Sequence, residues 1–414
     1  MDNSEDRFYQ LINHYRGDGP YLYEGDRVEI DAASGTFNLP FGYTNKRIAE
    51  KLKAQIDRCC HLSSAYTNPM SQEILARFMP HLPEGINRIK LRDVTGSGAV
   101  EGAIRMAQKY TGKSGVISLF TAHHGQSLAT AQISGNAFRL EHFKVNIDGS
   151  FKVPVPDSVL HSEDPNASVS SADFRRIDDY YEFGSTAQVA CLIVEPVQGN
   201  GGNIVLPVEY YRHLREFCTK HGIILIADEV QTGFGRTGSF FASNGYAKDL
   251  QPDAIVFAKQ AGGIGIPTGG ILMKEELDIL ESYEHSETSG ANPLSLIALY
   301  ETIAIIEDEG ILDNVRTNES HLRDMLIKLQ RDHDLVTNVR GLGYMFGFDT
   351  PSPEIAAKAI SIANDDGLII RGSRYGKGRA IKVRPPLICS REHLDEIGQK
   401  LDKTFVDLAK ALAK

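Results

Sequence analysis

Four short runs, Gly115–Phe120, Val189–Val194, Ile223–Ala227 and Ala254–Ala258, are apolar but for Ser118 and often β-branched. A strand with one wet face alternates polar and apolar residues. These runs do not alternate, which predicts a parallel sheet covered on both faces. The stretches between them include Val100–Tyr110 and Val208–His221, both of helical period. Strand and helix in alternation predict an α/β sandwich that binds its ligand at the carboxyl ends of the strands. A chain of 414 residues is long enough for two domains.

The flanks are organised differently. Pro20–Asp31 reads as a strand pair around Glu24-Gly25-Asp26, and Arg47–Cys59 as an amphipathic helix with Ile48, Leu52 and Ile56 on one face. Residues 145–185 are rich in Asp, Ser and Pro and read as an irregular insertion. A long helical stretch from Leu294 to about Leu329 precedes a smaller α/β unit. That unit has expected strands at Met345–Asp349, Leu368–Ile370 and Ile381–Val383 and a closing helix from Arg391. The expected division is an N-terminal segment 1–45 that joins the small domain, a large domain 46–300 and a small domain 301–414.

Composition narrows the partners. The net charge of −10 is spread over 44 basic and 54 acidic residues. No basic block marks a nucleic acid or an anionic membrane as a partner. Cys59, Cys60, Cys191, Cys218 and Cys389 are odd in number and lack metal-ligand spacing. They fit free thiols in a reducing compartment. The start, Met1-Asp2-Asn3-Ser4-Glu5-Asp6, carries no apolar signal region, and no apolar run approaches the roughly 20 residues that span a bilayer. A cytoplasmic location is the expectation.

The chemistry gathers at strand ends. Asp228 closes one apolar run and Lys259 follows another. Pyridoxal phosphate needs this pair: an amine that forms a Schiff base with its aldehyde, and a carboxylate that keeps its pyridine nitrogen protonated. Lysines are normally solvated, but Lys259 lies between an apolar strand and the turn Gly262-Gly263, and desolvation there would lower its pKa. Asp228 and Glu229 together also suit a magnesium site, yet no P-loop accompanies them. Adjacent strand residues face opposite ways, so one acid faces the ligand and Asp228 is the one chosen. Gln231, three residues after Asp228, could hydrogen-bond the cofactor's phenolic oxygen.

Three more loops qualify. Gly96, Ser97 and Gly98 follow a strand-like run and open a helix, whose free N–H groups suit a phosphate dianion; a simple tight turn has the same look. His123-His124-Gly125 follows the strand ending at Phe120, where a flat side chain would cover the cofactor ring. The alternative is a surface loop with solvated histidines, and no zinc spacing supports a metal. Glu195 follows Val194 and reads as a loop carboxylate or as a site residue on the face of Asp228 and Lys259.

These motifs, above all Asp228-Glu229-Val230-Gln231-Thr232-Gly233-Phe234-Gly235-Arg236-Thr237-Gly238, resemble the class III aminotransferases. That is the ornithine, 4-aminobutyrate and diaminobutyrate group of pyridoxal phosphate enzymes. The similarity runs from Tyr21-Leu22-Tyr23-Glu24 to Pro385-Pro386-Leu387, in the family's motif order. It implies an aspartate aminotransferase-like fold of type I, with a mostly parallel central sheet sandwiched by helices and a smaller domain from both termini. It implies that Lys259 carries the Schiff base, that Asp228 pairs with the pyridine nitrogen, and that Gly96, Ser97 and Gly98 meet the phosphate. Glu195 and Gln231 match active-site positions. Thr288 matches a residue that contacts the neighbouring subunit's phosphate, which implies a homodimer with shared sites.

The sequence departs from the family at three places. Gly96-Ser97-Gly98 stands where the family has Gly-Ser-Glu. His123 replaces a Tyr or Phe over the ring. Lys382, with Arg384 before Pro385, replaces an Arg that holds a substrate carboxylate. The expected reaction is a ping-pong transamination from a terminal amine donor to a keto acid. An epimerase or phospho-lyase on the same scaffold is the alternative.

Overall fold

The computed structural model describes residues 15–413 apart from 64–65, 67–68, 137–139, 142–145, 161–168 and 374–377. It opens with an antiparallel meander of β1 (Tyr15–Asp18), β2 (Tyr21–Glu24) and β3 (Arg27–Asp31). The β2–β3 turn is the one expected at Glu24-Gly25-Asp26.

The central sheet takes β4 (Ile86–Asp93), β5 (Gly115–Leu119), β6 (Phe151–Val153) and β7 (Val189–Val194). A small ribbon, β8 (Val197–Gln198) with β9 (Ile204–Val205), interrupts it. The sheet resumes with β10 (Ile224–Asp228), β11 (Ala254–Phe257) and β12 (Gly269–Lys274). The order across it is β4-β12-β11-β10-β7-β5-β6. All neighbours are parallel except where β12 pairs with β11 and β4.

The unbroken apolarity of the central strands has its expected cause. Every residue of β5, β7, β10 and β11 is buried. In β10, Leu225 and Ala227 enter one core while Ile224 and Ile226 enter the other. The helix Gly96–Thr111 covers one face through Val100, Ala103 and Ala107. The helix Val208–His221 covers the other through Tyr211, Leu214 and Phe217.

The smaller sheet contains β13 (Thr337–Leu342), β14 (Met345–Asp349), β16 (Arg371–Gly372) and β17 (Ala380–Val383), in the order β13-β14-β17-β16. The expected strand near Leu368 lies elsewhere. As β15 (Leu368–Ile369) it pairs in parallel with β3, Leu368 opposite Ile30, and so ties the N-terminal meander to the C-terminal part.

Two other expectations are corrected. The stretch 294–329 is two helices, Pro293–Asp308 and Ile311–Asp332, parted at Gly310, which takes φ 64. Residues 145–185 are not irregular throughout: they contain β6 and the helix Ser171–Gly184, opened by a Ser170–Asp173 capping box. Residues 145 and 161–168 lie outside the described set. No helix among the described residues is long and apolar enough to cross a membrane.

Candidate active site

Parallel strands deliver their following loops to one edge of the sheet. Here β4 leads into the helix Gly96–Thr111, β5 into His123 and His124, β7 into Glu195, β10 ends on Asp228, and β11 leads into Lys259. A cavity of about 760 Å³ opens among them, lined by Gly96, Ser97, His123, His124, Asp228, Gln231, Lys259 and Lys382 among others.

Asp228 and Glu229 part as strand alternation requires. Asp228 lines the cavity, with Oδ2 2.8 Å from His124 Nδ1 and Oδ1 accepting the Val230 N–H at 3.2 Å. Glu229 is spent elsewhere, on the Thr232 hydroxyl and the N–H groups of Ala242 and Ser243. His124 is fully enclosed, and its Nε2 finds no hydrogen-bond partner among the described residues. Nothing in the sequence sets His124 apart from His123 beside it; only burial separates the two.

Glu195 does not line the cavity. Its Oε1 accepts the His123 N–H at 2.8 Å and its Oε2 the Gly199 N–H at 3.0 Å, so it clamps two loops behind the site. Burial holds its carboxyl well above the ordinary carboxylate range, and the Asp228 charge adds to this. Lys259 is half-buried in the cavity wall with φ 44, a conformation that bulky residues adopt only where the surroundings enforce it. Burial lowers its pKa, while Asp228 and Glu195 pull the other way.

At the helix start, Thr95 Oγ1 accepts the Gly98 N–H at 3.0 Å. That N–H is therefore occupied, and Gly96 and Ser97 are the ones facing the cavity. Ser97 Oγ accepts the Gln126 N–H at 3.0 Å. A Cβ on Gly125 would lie 2.5 Å from that same oxygen and 2.3 Å from Thr130 Oγ1, so only glycine lets this loop approach.

The two proposed substrate cations sit differently. Lys382 lines the cavity. Arg384 is wholly buried behind it, donating to Gln231 Oε1 at 2.8 Å, to Gly199 O at 2.5 Å and to Asn203, with Phe37 stacked 3.5 Å from its guanidinium carbon. It braces Gln231 and does not reach the cavity. Arg371, unremarked in the sequence, lies opposite Lys382 across β16 and β17 and lines the same cavity. Thr36, Phe37 and Asn38 add a wall from the N-terminal segment. Thr288 is exposed on the protomer surface, outside that lining.

The donor set fits pyridoxal phosphate. Helix-start N–H groups, a carboxylate held at a strand end, a desolvated amine and an imidazole all border one cavity.

The family model described as "Aminotransferase class-III" matches residues 1–405. An acetylornithine aminotransferase of Methanothermobacter thermautotrophicus is 30% identical over 96% of this chain and 94% of its own. An isoleucine 2-epimerase of Lentilactobacillus buchneri is 27% identical, over 96% and 90%. Among solved structures, an amine transaminase of an uncultivated Pseudomonas species in its PLP-bound form superposes with a TM-score of 0.85. It is 26% identical and covers 95% of this chain and 94% of its own. A transaminase of the marine bacterium Virgibacillus, 23% identical over 96% and 93%, shares the fold with a TM-score of 0.87. The chain belongs to the class III aminotransferases and is a pyridoxal phosphate-dependent transaminase of fold type I.

Proposed function

We propose that this transaminase takes an amino group, by preference a terminal one, from a donor that carries a carboxylate, and passes it to a keto acid. Lys382 carries the reading. Its side chain is buried in the cavity wall and has no ion-pair partner among the described residues. Burial, then the charges of Arg384 and Arg371, hold its pKa well below the ordinary lysine value. A buried ammonium without a counter-ion is costly, and an arriving carboxylate supplies the counter-ion. The terminal amine is supported by resemblance: Pro267-Thr268-Gly269-Gly270 and Glu284-His285 are similar to diaminobutyrate-type sequences. Relatives named acetylornithine and 5-aminovalerate aminotransferase agree with it.

Pyridoxal phosphate, when bound, supplies an aldehyde for the amine and a ring that accepts electrons. The chain's own groups would do the rest. The N–H groups of Gly96 and Ser97 would hold the phosphate, and Thr288 from a second copy would complete it, which makes the active form a homodimer. Asp228, fixed by His124, would keep a proton on the pyridine nitrogen, and His123 would lie against the ring. Gln231 gives its oxygen to Arg384, so its Nε2 is the end free to donate to the phenolic oxygen. Lys259 Nζ, made less basic by burial, would accept the proton from the substrate carbon that bears the amine. The division into 1–45, 46–300 and 301–414 belongs to the same reading, because residues from all three border the cavity. A cytoplasmic location is supported by five free cysteines.

The test is the half-reaction. Carboxylate-bearing amines should bleach the visible band of the bound cofactor, and a keto acid should restore it. A substrate returned with inverted configuration and no need for an acceptor would instead favour the epimerase reading. Lys382→Ala should raise KM for carboxylate donors roughly 30-fold while sparing amines that lack the carboxylate. Equal losses for both classes would remove Lys382 from this role.

A further inference from the structure

We propose that Glu287 is the positioning residue of the phosphate cradle, supplying from a remote segment the carboxylate that the helix start lacks. The inference rests on the cradle reading above. Thr95 caps the helix Gly96–Thr111. A capping box adds an acidic residue at the third helical position, whose carboxylate accepts the backbone N–H of the cap residue. The third position here is Gly98, so the helix cannot close the box by itself. This is also where the sequence departs from Gly-Ser-Glu.

Glu287 stands in that gap. Its Oε2 accepts the Val94 N–H at 2.6 Å, and its Oε1 lies 3.4 Å from Thr95 Oγ1. A Cβ built on Gly98 would fall 2.3 Å from the same Oε1, so the carboxylate fills the space of the missing side chain. Its segment is laced to the end of β4: the Glu287 N–H donates to Arg92 O at 3.0 Å, and His285 Nε2 lies 2.7 Å from Asp93 Oδ1. A Gly-Ser-Gly start has little stiffness of its own. An external carboxylate therefore sets the direction of the Gly96 and Ser97 N–H groups and complements the helix dipole. Glu287 does not line the cavity and acts through the backbone. It also directly precedes Thr288, so one side chain would steady this protomer's cradle and the phosphate contact offered to a second copy.

The experiment titrates apo-protein with pyridoxal phosphate and with pyridoxal, which lacks the phosphate. Glu287→Ala should cut the wild-type preference for the phosphorylated form on the order of fivefold and leave pyridoxal affinity unchanged. Glu287→Gln keeps an acceptor for the Val94 N–H without the charge, so its preference should fall between those of the wild type and the alanine variant, a loss of about twofold, and it serves if the alanine variant does not fold. Lower thermal stability with an unchanged preference would overturn the proposal, and so would a glutamine variant with the wild-type preference where the alanine variant also keeps it. A wild type with no phosphate preference would overturn the cradle reading itself, and this inference with it.

Discussion

Lys259→Ala should lower turnover by roughly 10⁴-fold and abolish the visible band of the lysine-linked cofactor, since one group would serve as nucleophile and proton carrier. The cavity is lined by a second desolvated amine, Lys382. Absorption spectra separate the two: Lys382→Ala should keep the band and Lys259→Ala should lose it. The reverse pattern would transfer the covalent role to Lys382. The pH dependence follows from the direction of the Lys259 shift. Burial lowers its pKa, so the neutral, reactive amine is present at lower pH than for a solvated lysine. The rate of pyridoxal uptake by apo-protein should therefore rise with pH well before the ordinary value of 10.5. Asp228 opposes that lowering, so Asp228→Asn should move the rise to lower pH still. A profile centred on the ordinary value would mean that Lys259 is solvated when the cofactor arrives.

Local pattern carried most of the sheet. β7, β14 and the helix Val208–His221 have the bounds read from the sequence. Continuous apolarity and a 3.6-residue period leave few alternatives there. What failed was decided by single residues or by distant partners. The break at Gly310 hides inside a helical period, because one positive φ ends a helix without disturbing its apolar face. β6 is a three-residue edge strand, and the helix Ser171–Gly184 buries only Asp173, Ile177 and Tyr181, so both look like polar loop. β15 has the composition of a small-sheet strand, and nothing local says that its partner is Ile30.

The site divides in the same way. Alternation along β10 distinguishes Asp228 from Glu229. The pairing of His124 with Asp228 joins positions that only the folded sheet brings together. The resemblance offers Arg384 beside Lys382 in place of the family's carboxylate-holding Arg, yet its contacts are Gln231, Gly199 and Asn203.

Arg236 shows why the block from Asp228 to Gly238 is so distinctive, and its removal should cost more stability than any other single change considered. The side chain is wholly buried. It donates to Gln260 Oε1 from Nε and Nη2, to Tyr344 O at 3.1 Å and Pro385 O at 2.5 Å from Nη1, and to Ser34 Oγ at 3.1 Å from Nη2. Burial brings its pKa down to about 9, which leaves it protonated at neutral pH. Arg236→Met keeps most of the volume and all of the burial but strands those acceptors in a dry interior. The expected loss is about 3–5 kcal/mol, read from the denaturant midpoint of unfolding. Arg236→Lys should recover little, because the ammonium donates from a single nitrogen, whereas the guanidinium reaches Gln260, Tyr344, Pro385 and Ser34 from three nitrogens spread across a planar fork. The loss should also reach the chemistry. Gln260 adjoins Lys259, and its Nε2 donates to the backbone oxygens of Gln231 and Gly233. Freeing Gln260 from Arg236 loosens the turn that holds Lys259 at φ 44, so cofactor affinity should fall together with stability. A methionine variant within about 1 kcal/mol of wild type would mean that water or a shifted backbone satisfies the same oxygens, and the guanidinium would then not be what joins the N-terminal turn, the Lys259 turn and the Pro385 segment.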